Sequence, residues 1–404
     1  MDHEFSPAKT CKSVADEDII TNLPEALKDK ILCCLPIKYA VRTCLLSRSW
    51  RYTWASMTEL MFRRSDFASG NGNEKDDACR FLKFTDMFLS LHNGPILKFG
   101  LNTQGIEMLS TGGHIYRWML KLSRNGIKEI HLRTSVLDRY KIPSCFFSCD
   151  RLEHVYLRAC ILTRGNSLED LVASCPNLEQ LHLSKLISMN HINIHSTKLK
   201  MLTIEGHFQH LNLHTPYLTS AVIKLNLKPD TNDALTARCN FNLSQFIASL
   251  SDVENIRLHG RILECVEHEF LIRKPQKLFN RLTDISLEIN LGNPKEANLA
   301  LFLFSNASDL RFICLKLNSR NSVVPPVHFW ESIDSHVCLF QNVHAVGMIN
   351  FTGSFAELGF LKLLLEDAPV LRKVKIRNKG LDRNVLKNLL KMRRTSKEAE
   401  IVIL

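Results

Sequence analysis

Apolar residues fall along this chain in two rhythms. Between Leu23 and Trp54 the spacing is helical: Leu27, Ile31, Leu32 and Leu35 recur every three or four positions, and Trp50 and Trp54 lie four apart. Two Leu-Pro pairs, Leu23-Pro24 and Leu35-Pro36, punctuate the stretch. Proline suits a first helical turn, where its missing N–H is not needed. The spacing predicts a helix opening at Pro24 and stopping at Pro36, a second over about residues 38–45, and a third capped by Ser47. After a flexible, acidic loop at residues 70–77 (GNGNEKDD), a further helix carries Phe81, Phe84, Phe88 and Leu91 on one side.

From Ile96 onward the rhythm becomes apolar-x-x-apolar-x-apolar. It recurs at Ile96/Phe99/Leu101, Ile127/Ile130/Leu132, Leu152/Val155/Leu157, Leu178/Leu181/Leu183 and Leu199/Leu202/Ile204. It continues at Val253/Ile256/Leu258, Leu282/Ile285/Leu287, Leu310/Ile313/Leu315, Val343/Val346/Met348 and Leu371/Val374/Ile376. An earlier match, Met57/Leu60/Phe62, lays a first strand directly after the helical block. The last two apolar positions are alternate residues of a short strand that point inward, while the residue between them points out. Most intervals fall around and above the range of leucine-rich repeats. Matches at Phe208/Leu211/Leu213 and Leu218/Ala221/Ile223 lie too close together for both to be full repeats. The stretch Leu171 to Leu183 displays one unit: a helix end, a Cys-Pro turn, then a strand. A single unit exposes both ends, so stacking is what buries a continuous core. An ordinary α/β sheet is the alternative, but one fixed internal pattern and the lack of a Gly-rich strand-to-helix turn favour repeats.

At 404 residues the chain exceeds what one core usually serves. The pattern divides it into a polar, disordered segment at 1–15, a helical block at 16–57 and recurring units from residue 58 onward. Three short helices cannot bury the block's apolar residues among themselves, so a partner or a following domain must cover the remainder. Hydrophobic residues at 45% and charged ones at 23% fit a soluble folded protein. Apolar runs such as Ile31 to Ile37 are too short to cross a bilayer, and no secretory signal opens the chain. The net charge of +11 is concentrated near the end: Arg372, Lys373, Lys375, Arg377, Lys379, Arg383, Lys387, Lys391, Arg393, Arg394 and Lys397 face the single acid Asp382. This run is either a basic docking face or the solvated side of a terminal strand and helix, and charge runs on amphipathic elements are usually the latter. Aromatic residues do not interleave with it as a nucleic-acid stacking platform requires.

Catalytic signatures are missing: there is no G-x-S-x-G, Walker loop, G-x-G-x-x-G or H-E-x-x-H. The 16 histidines are dispersed, with His131, His182 and His259 at strand positions where a surface histidine is expected. The 13 cysteines are odd in number and irregular in spacing. Cys33 and Cys34 are adjacent, and Cys145 and Cys149 lack a downstream partner pair, so no zinc site is implied. They are expected as free thiols packed like small hydrophobes. Glycosylation-type triplets at Asn242, Asn306 and Asn350 are chance matches without a secretory route. Trp118 and Trp330 are expected in cores.

Leu23-Pro24, Ile31-Leu32, Leu35-Pro36, Val41 and Leu46-Ser47-Arg48-Ser49-Trp50-Arg51 together resemble an F-box. The run Leu35 to Trp54 is similar to plant F-box proteins with leucine-rich repeats and a C-terminal FBD domain. The likeness continues in Gly94-Pro95-Ile96-Leu97, Trp118-Met119, Cys175-Pro176-Asn177-Leu178-Glu179 and the end from Leu386 to Leu404. The resemblance implies an α/β chain: a three-helix F-box at 16–57, then an irregular leucine-rich-repeat solenoid over 58–330, ending in an FBD-like C-terminal region over 331–404. It implies a non-catalytic substrate-recognition subunit of an SCF-type cullin-RING ubiquitin ligase in the nucleus or cytoplasm, without cofactor or metal. Its partners would be a Skp-type adaptor, through it the cullin and RING subunits, and a target protein whose identity the resemblance does not give. Adaptor contacts carried over by position are Leu23, Pro24, Leu27, Ile31, Leu35, Pro36, Val41, Leu46 and Trp50. Some of these must serve the block's own core, and Trp50 suits either role. The alternative is a scaffold or nucleic-acid-associated protein that uses the basic end.

Overall fold

The computed structural model describes residues 19–68, 74–105, 108–137, 139–162, 168–186, 191–226, 246–247, 249–264, 278–318, 329–330, 339–378 and 380–404. The expected disordered segment at 1–15, the triplet at Asn242 and the first residues of the C-terminal region lie outside them. The chain divides into two units, Met1–Gly100 and Leu101–Leu404.

The first unit opens with α1 (Glu25–Cys33) and α2 (Ile37–Arg42), followed by three short 3-10 turns at Thr43–Leu45, Arg48–Trp50 and Thr53–Ser56. Then come β1 (Glu59–Arg63), α3 (Glu74–Leu91) and β2 (Lys98–Asn102). Both leading helices start after a Leu-Pro pair. Pro24 (ψ 145°) and Pro36 (ψ 135°) are extended, so each stands at the N-cap, one position before the first turn. The Pro24 carbonyl accepts from the amides of Leu27 (2.9 Å) and Lys28 (3.1 Å), and that of Pro36 from Tyr39 (2.8 Å) and Ala40 (3.1 Å).

The third helix expected from Ser47 is replaced by 3-10 turns, and the Ser47 side chain caps none of them. Hydroxyls compete for the backbone here: Thr53 donates to the Ser49 carbonyl (3.1 Å) and Ser56 to that of Thr53 (3.1 Å). The loop expected at 70–77 is also shorter, because α3 begins at Glu74 with acidic residues in its first turn, where the helix dipole favours them. Its first residues lie outside the described set. The face of α3 builds an aromatic core: Phe67 lies 5.6 Å from Phe81 and 4.9 Å from Phe84, and Phe88 lies 5.4 Å from Phe62 and 5.0 Å from Trp54. Leu91, expected on this face, is exposed at the helix end instead.

Along the second unit run α4 (Met108–Ser123), β3 (Glu129–Arg133), β4 (Tyr140–Lys141), β5 (His154–Arg158), β6 (Cys160–Ile161), α5 (Leu168–Ser174), β7 (Gln180–Leu186), β8 (His191–His195) and β9 (Met201–Gly206). There follow β10 (His210–His214), β11 (Ser220–Leu225), β12 (Asn255–Gly260), β13 (Asp284–Ile289), α6 (Pro294–Ser305), β14 (Phe312–Leu317), β15 (Ala345–Ile349), α7 (Phe355–Asp367), β16 (Lys373–Arg377), α8 (Arg383–Lys391) and β17 (Glu400–Ile403).

The main sheet of this unit keeps chain order, β3-β5-β7-β9-β11-β12-β13-β14-β15-β16-β17, and every neighbouring pair is parallel. Its register aligns the recurring motif. Ile130, Val155, Leu181, Leu202, Ala221, Ile256, Ile285, Ile313, Val346, Val374 and Ile401 form one ladder. Two residues on, Leu132 through Leu258, Leu315 and Ile376 form a second. The first motif position, from Ile127 to Leu371, is buried in each unit. The two crowded matches part company: β11 takes its place beside β9, whereas β10 pairs with β8 in a separate two-stranded sheet. Parallel neighbours need a crossover of about a dozen residues, which the short link from β9 to β10 does not supply.

Helix starts are capped. Asn293 accepts from the Lys295 amide (3.1 Å) ahead of Pro294 at the opening of α6. Ser354 and Glu357 form a capping box on α7. One Glu357 carboxylate oxygen accepts from the amides of Thr352 (2.8 Å), Gly353 (2.8 Å) and Ser354 (3.2 Å) and from the Thr352 hydroxyl (3.0 Å). Trp118 and Trp330 are buried, as expected.

Candidate functional site

The helical block turns two stripes of α1 in opposite senses. Lys28 and Leu32, one turn apart, face inward with Ile37, Ala40 and Trp50. Leu27 and Ile31, also one turn apart, are 46% and 42% exposed, and Leu35 just beyond the helix is exposed too. Lys28 pairs with the largely exposed carboxylate of Glu25 (3.0 Å) and sits 6.0 Å from the centre of the Trp50 ring, so its charge is compensated. Trp50 Nε1 donates to the Ile20 carbonyl (3.1 Å), and Ser49 Oγ to that of Thr21 (3.1 Å). Asp29 accepts from the amide (3.2 Å) and hydroxyl (2.9 Å) of Thr58, tying α1 to the chain entering β1. Cys33 lies beside it, its thiol pushed up to about 11 by burial.

Of the residues carried over as partner contacts, Pro24, Leu27, Ile31, Leu35, Pro36 and Leu46 lie at the surface, and Leu23 and Val41 are half-buried. Leu46 is 65% exposed. Trp50 is a correction: at 1% exposure it closes the core behind this surface and presents nothing to a partner. Tyr39, Leu45 and Tyr52, which the apolar spacing does not mark as contacts, are also exposed large side chains of the same block. Leu45 could have been found, since it adjoins Leu46 in a turn too short to bury both.

In the second unit, residues between the two buried ladders point outward. The row begins with aromatic rings: His131 stacks on Tyr156 (centroids 4.1 Å, 12° between planes), which donates to Gln180 (2.6 Å) and leans on His182. Burial pulls His182 and His259 below the usual histidine range. Both lie at outward-facing strand positions, where a surface histidine is expected, and are half-buried. Ion pairs cross neighbouring strands, Lys200 to Glu179 (2.8 Å) and Lys224 to Glu205 (2.9 Å). Further along, Arg257, Ser286, Cys314, Gly347 and Lys375 occupy adjacent positions of the row and line a groove of about 490 Å³.

The cysteines are less uniformly buried than expected. Cys149, Cys160 and Cys175 are core residues, the first two thiols pushed up to about 12 by burial, whereas Cys34 and Cys79 are exposed. Among the described residues no group of three or more His, Cys, Asp or Glu is arranged to hold a metal, and no helix is long and apolar enough to cross a membrane.

The chain thus joins a helical block with an exposed apolar stripe to a parallel sheet of recurring units. Residues 20–60 match the F-box domain. The chain is 27% identical over 427 residues to an F-box/FBD/LRR-repeat protein of Arabidopsis thaliana, covering 96% of this chain and 98% of that protein. It is 25% identical over 476 residues to an FBD-associated F-box protein of the same plant, covering all of both chains, and 25% identical over 351 residues to an F-box/LRR-repeat protein, covering 74% of this chain and 54% of that one. An F-box domain therefore opens this chain, and its homologues over most of its length are plant F-box/FBD/LRR-repeat proteins.

Proposed function

We propose that this chain is the substrate-recognition subunit of an SCF-type cullin-RING ubiquitin ligase. The observation that carries the reading is the exposed Leu27–Ile31–Leu35 stripe within the F-box match, on a block whose own core is already filled by Trp50 and Leu32. A Skp-type adaptor covers Leu23, Pro24, Leu27, Ile31, Leu35, Pro36, Val41 and Leu46, and through it the chain joins the cullin and RING subunits. Trp50 supports that surface from behind.

The second unit is read as an irregular leucine-rich-repeat solenoid ending in an FBD-like segment, supported by the motif's recurrence, the chain-order parallel sheet and the names of the relatives. Its outward face holds the target. A stiff array keeps a bound protein at fixed reach of the ligase, which raises the effective concentration of its lysines. The transfer chemistry belongs to other subunits, and the complex works in the nucleus or cytoplasm.

Co-expression with a Skp-type adaptor tests the reading. A stable complex is expected, weakened when Leu23 and Pro24 become Ala. An intact chain that never co-purifies with an adaptor, under conditions where other F-box proteins do, overturns it.

A further inference from the structure

Five consecutive strands place Arg257, Ser286, Cys314, Gly347 and Lys375 side by side in register. The three central side chains are small or absent, which opens the groove. A Cβ built at Gly347 would meet only the Cys314 sulfur, at 3.8 Å, so the space above it is free. Phe312, on the neighbouring row beside Ala345, lies in the lining with 47% of its surface exposed.

The rims are cationic. Lys316 is neutralised by Glu288 (3.3 Å) and Lys373 approaches Glu400 (4.0 Å), but among the described residues Arg257 and Lys375 have no ion-pair partner. Four strand spacings separate them, about 19 Å at ~4.8 Å each. An extended chain at ~3.3 Å per residue crosses that span in about six residues.

Resting on the reading of this face as the target platform, we propose that the groove over β12 to β16 takes an extended acidic segment of the target protein. Carboxylates about six residues apart reach Arg257 and Lys375, and an apolar side chain between them enters over Gly347 against Phe312. A nucleic acid fits less well. Asp284 lines the groove and Glu288 and Glu400 share the face, so a continuous polyphosphate meets repulsion, and Phe312 alone makes no stacking platform.

The test is selection of a random twelve-residue phage-displayed peptide library on the full-length chain. Enrichment of acidic peptides with a central apolar residue is expected. The best of them, synthesised and labelled, should weaken at least ~tenfold in affinity on Arg257→Glu with Lys375→Glu, and similarly on Gly347→Trp. The variants should melt as the parent does and keep co-purifying with the adaptor. Failure to enrich acidic sequences, enrichment indifferent to these substitutions, or a labelled oligo(dT) that binds through Arg257 and Lys375 in place of peptide overturns the proposal. Adaptor docking is scored on the same preparations. Peptide binding without docking defeats the ligase reading alone, and docking without peptide binding defeats the groove alone.

Discussion

Replacing Leu27, Ile31 and Leu46 together by Ala removes apolar surface, about half of which the free chain leaves in water. Fully burying a Leu or Ile side chain is worth about 1.5–3 kcal/mol. With 46%, 42% and 65% of the three still exposed, completing their burial under an adaptor contributes roughly 2–4 kcal/mol. The triple variant should therefore bind a purified Skp-type adaptor about 30- to 700-fold more weakly by isothermal titration calorimetry. Its stability should fall too, by roughly 2–4 kcal/mol, because about half of this surface is already buried in the free chain, so the two affinities are compared where both chains are folded. Trp50 separates the two roles. Trp50→Ala empties a core site and loses the bond to Ile20, at a cost of about 3–5 kcal/mol, so it unfolds the block and loses the adaptor indirectly. Trp50→Phe keeps the bulk and should leave affinity within about threefold, since the bond it loses is worth only ~1 kcal/mol. A triple variant that binds like the parent, or a folded Trp50→Phe that loses more affinity than the triple, refutes the assignment of the outer stripe to the interface.

Three further outcomes test the second unit. Gly260 sits at φ +74°, and a Cβ there would run into the Leu225 carbonyl oxygen, so Gly260→Ala should lower stability by roughly 2–4 kcal/mol in urea unfolding. A variant as stable as the parent would show that this backbone approach is not required. Glu357→Ala strips the acceptor from three amides and a hydroxyl ahead of α7 and should cost about 2–4 kcal/mol, with Glu357→Gln in between. Because His182 and His259 titrate below their unfolded value of about 6.5, the unfolded chain binds more protons in the window between the two. Their contribution is present above about pH 6.5 and falls away as the pH drops through that window. The urea midpoint should decline from pH 7.5 to 5.5, and His182→Asn with His259→Asn should flatten that decline; an unchanged slope would sink the burial argument.

The main sheet was legible because its spacing encodes register. A motif fixed at positions one, four and six places the same two inward residues on each strand, and the observed ladders join those residues, Ile130 to Val155 to Leu181 and onward. The crowding at 208–223 was visible, but not which match would leave the sheet, because that depends on whether a link can carry a crossover. The third helix failed for a local reason: Thr53 and Ser56 bond back to the preceding turn, a competition that apolar periodicity does not register. The groove was half legible. Its row is the middle residue of consecutive motifs, Arg257, Ser286, Cys314, Gly347 and Lys375, which the sequence already aligns. What spacing could not give is which cations keep their charge uncompensated, since that depends on whether an acid such as Glu288 is within reach across a strand.

The F-box block posed a harder problem, and its answer bears on function. Helical periodicity in α1 allows two neighbouring stripes, Leu27–Ile31 and Lys28–Leu32, and an amphipathic rule places the lysine outside. The fold does the opposite, burying Lys28 and leaving Leu27 and Ile31 nearly half exposed. Burying an ammonium is unfavourable unless it is paired, so the inversion stands only because Glu25 and the Trp50 ring compensate it. A helix built for the isolated block alone would reverse the two stripes and gain on both counts. That it does not is a physical reason to regard the exposed stripe as surface held ready for another chain. Lys28→Leu then becomes informative: it should preserve or raise the block's stability, as replacing a buried ion by an apolar residue often does. Adaptor affinity should change less than about threefold, since Lys28 faces away from the proposed interface. Loss of binding in a folded Lys28→Leu chain would mean that the inner stripe, and not the outer one, meets the partner.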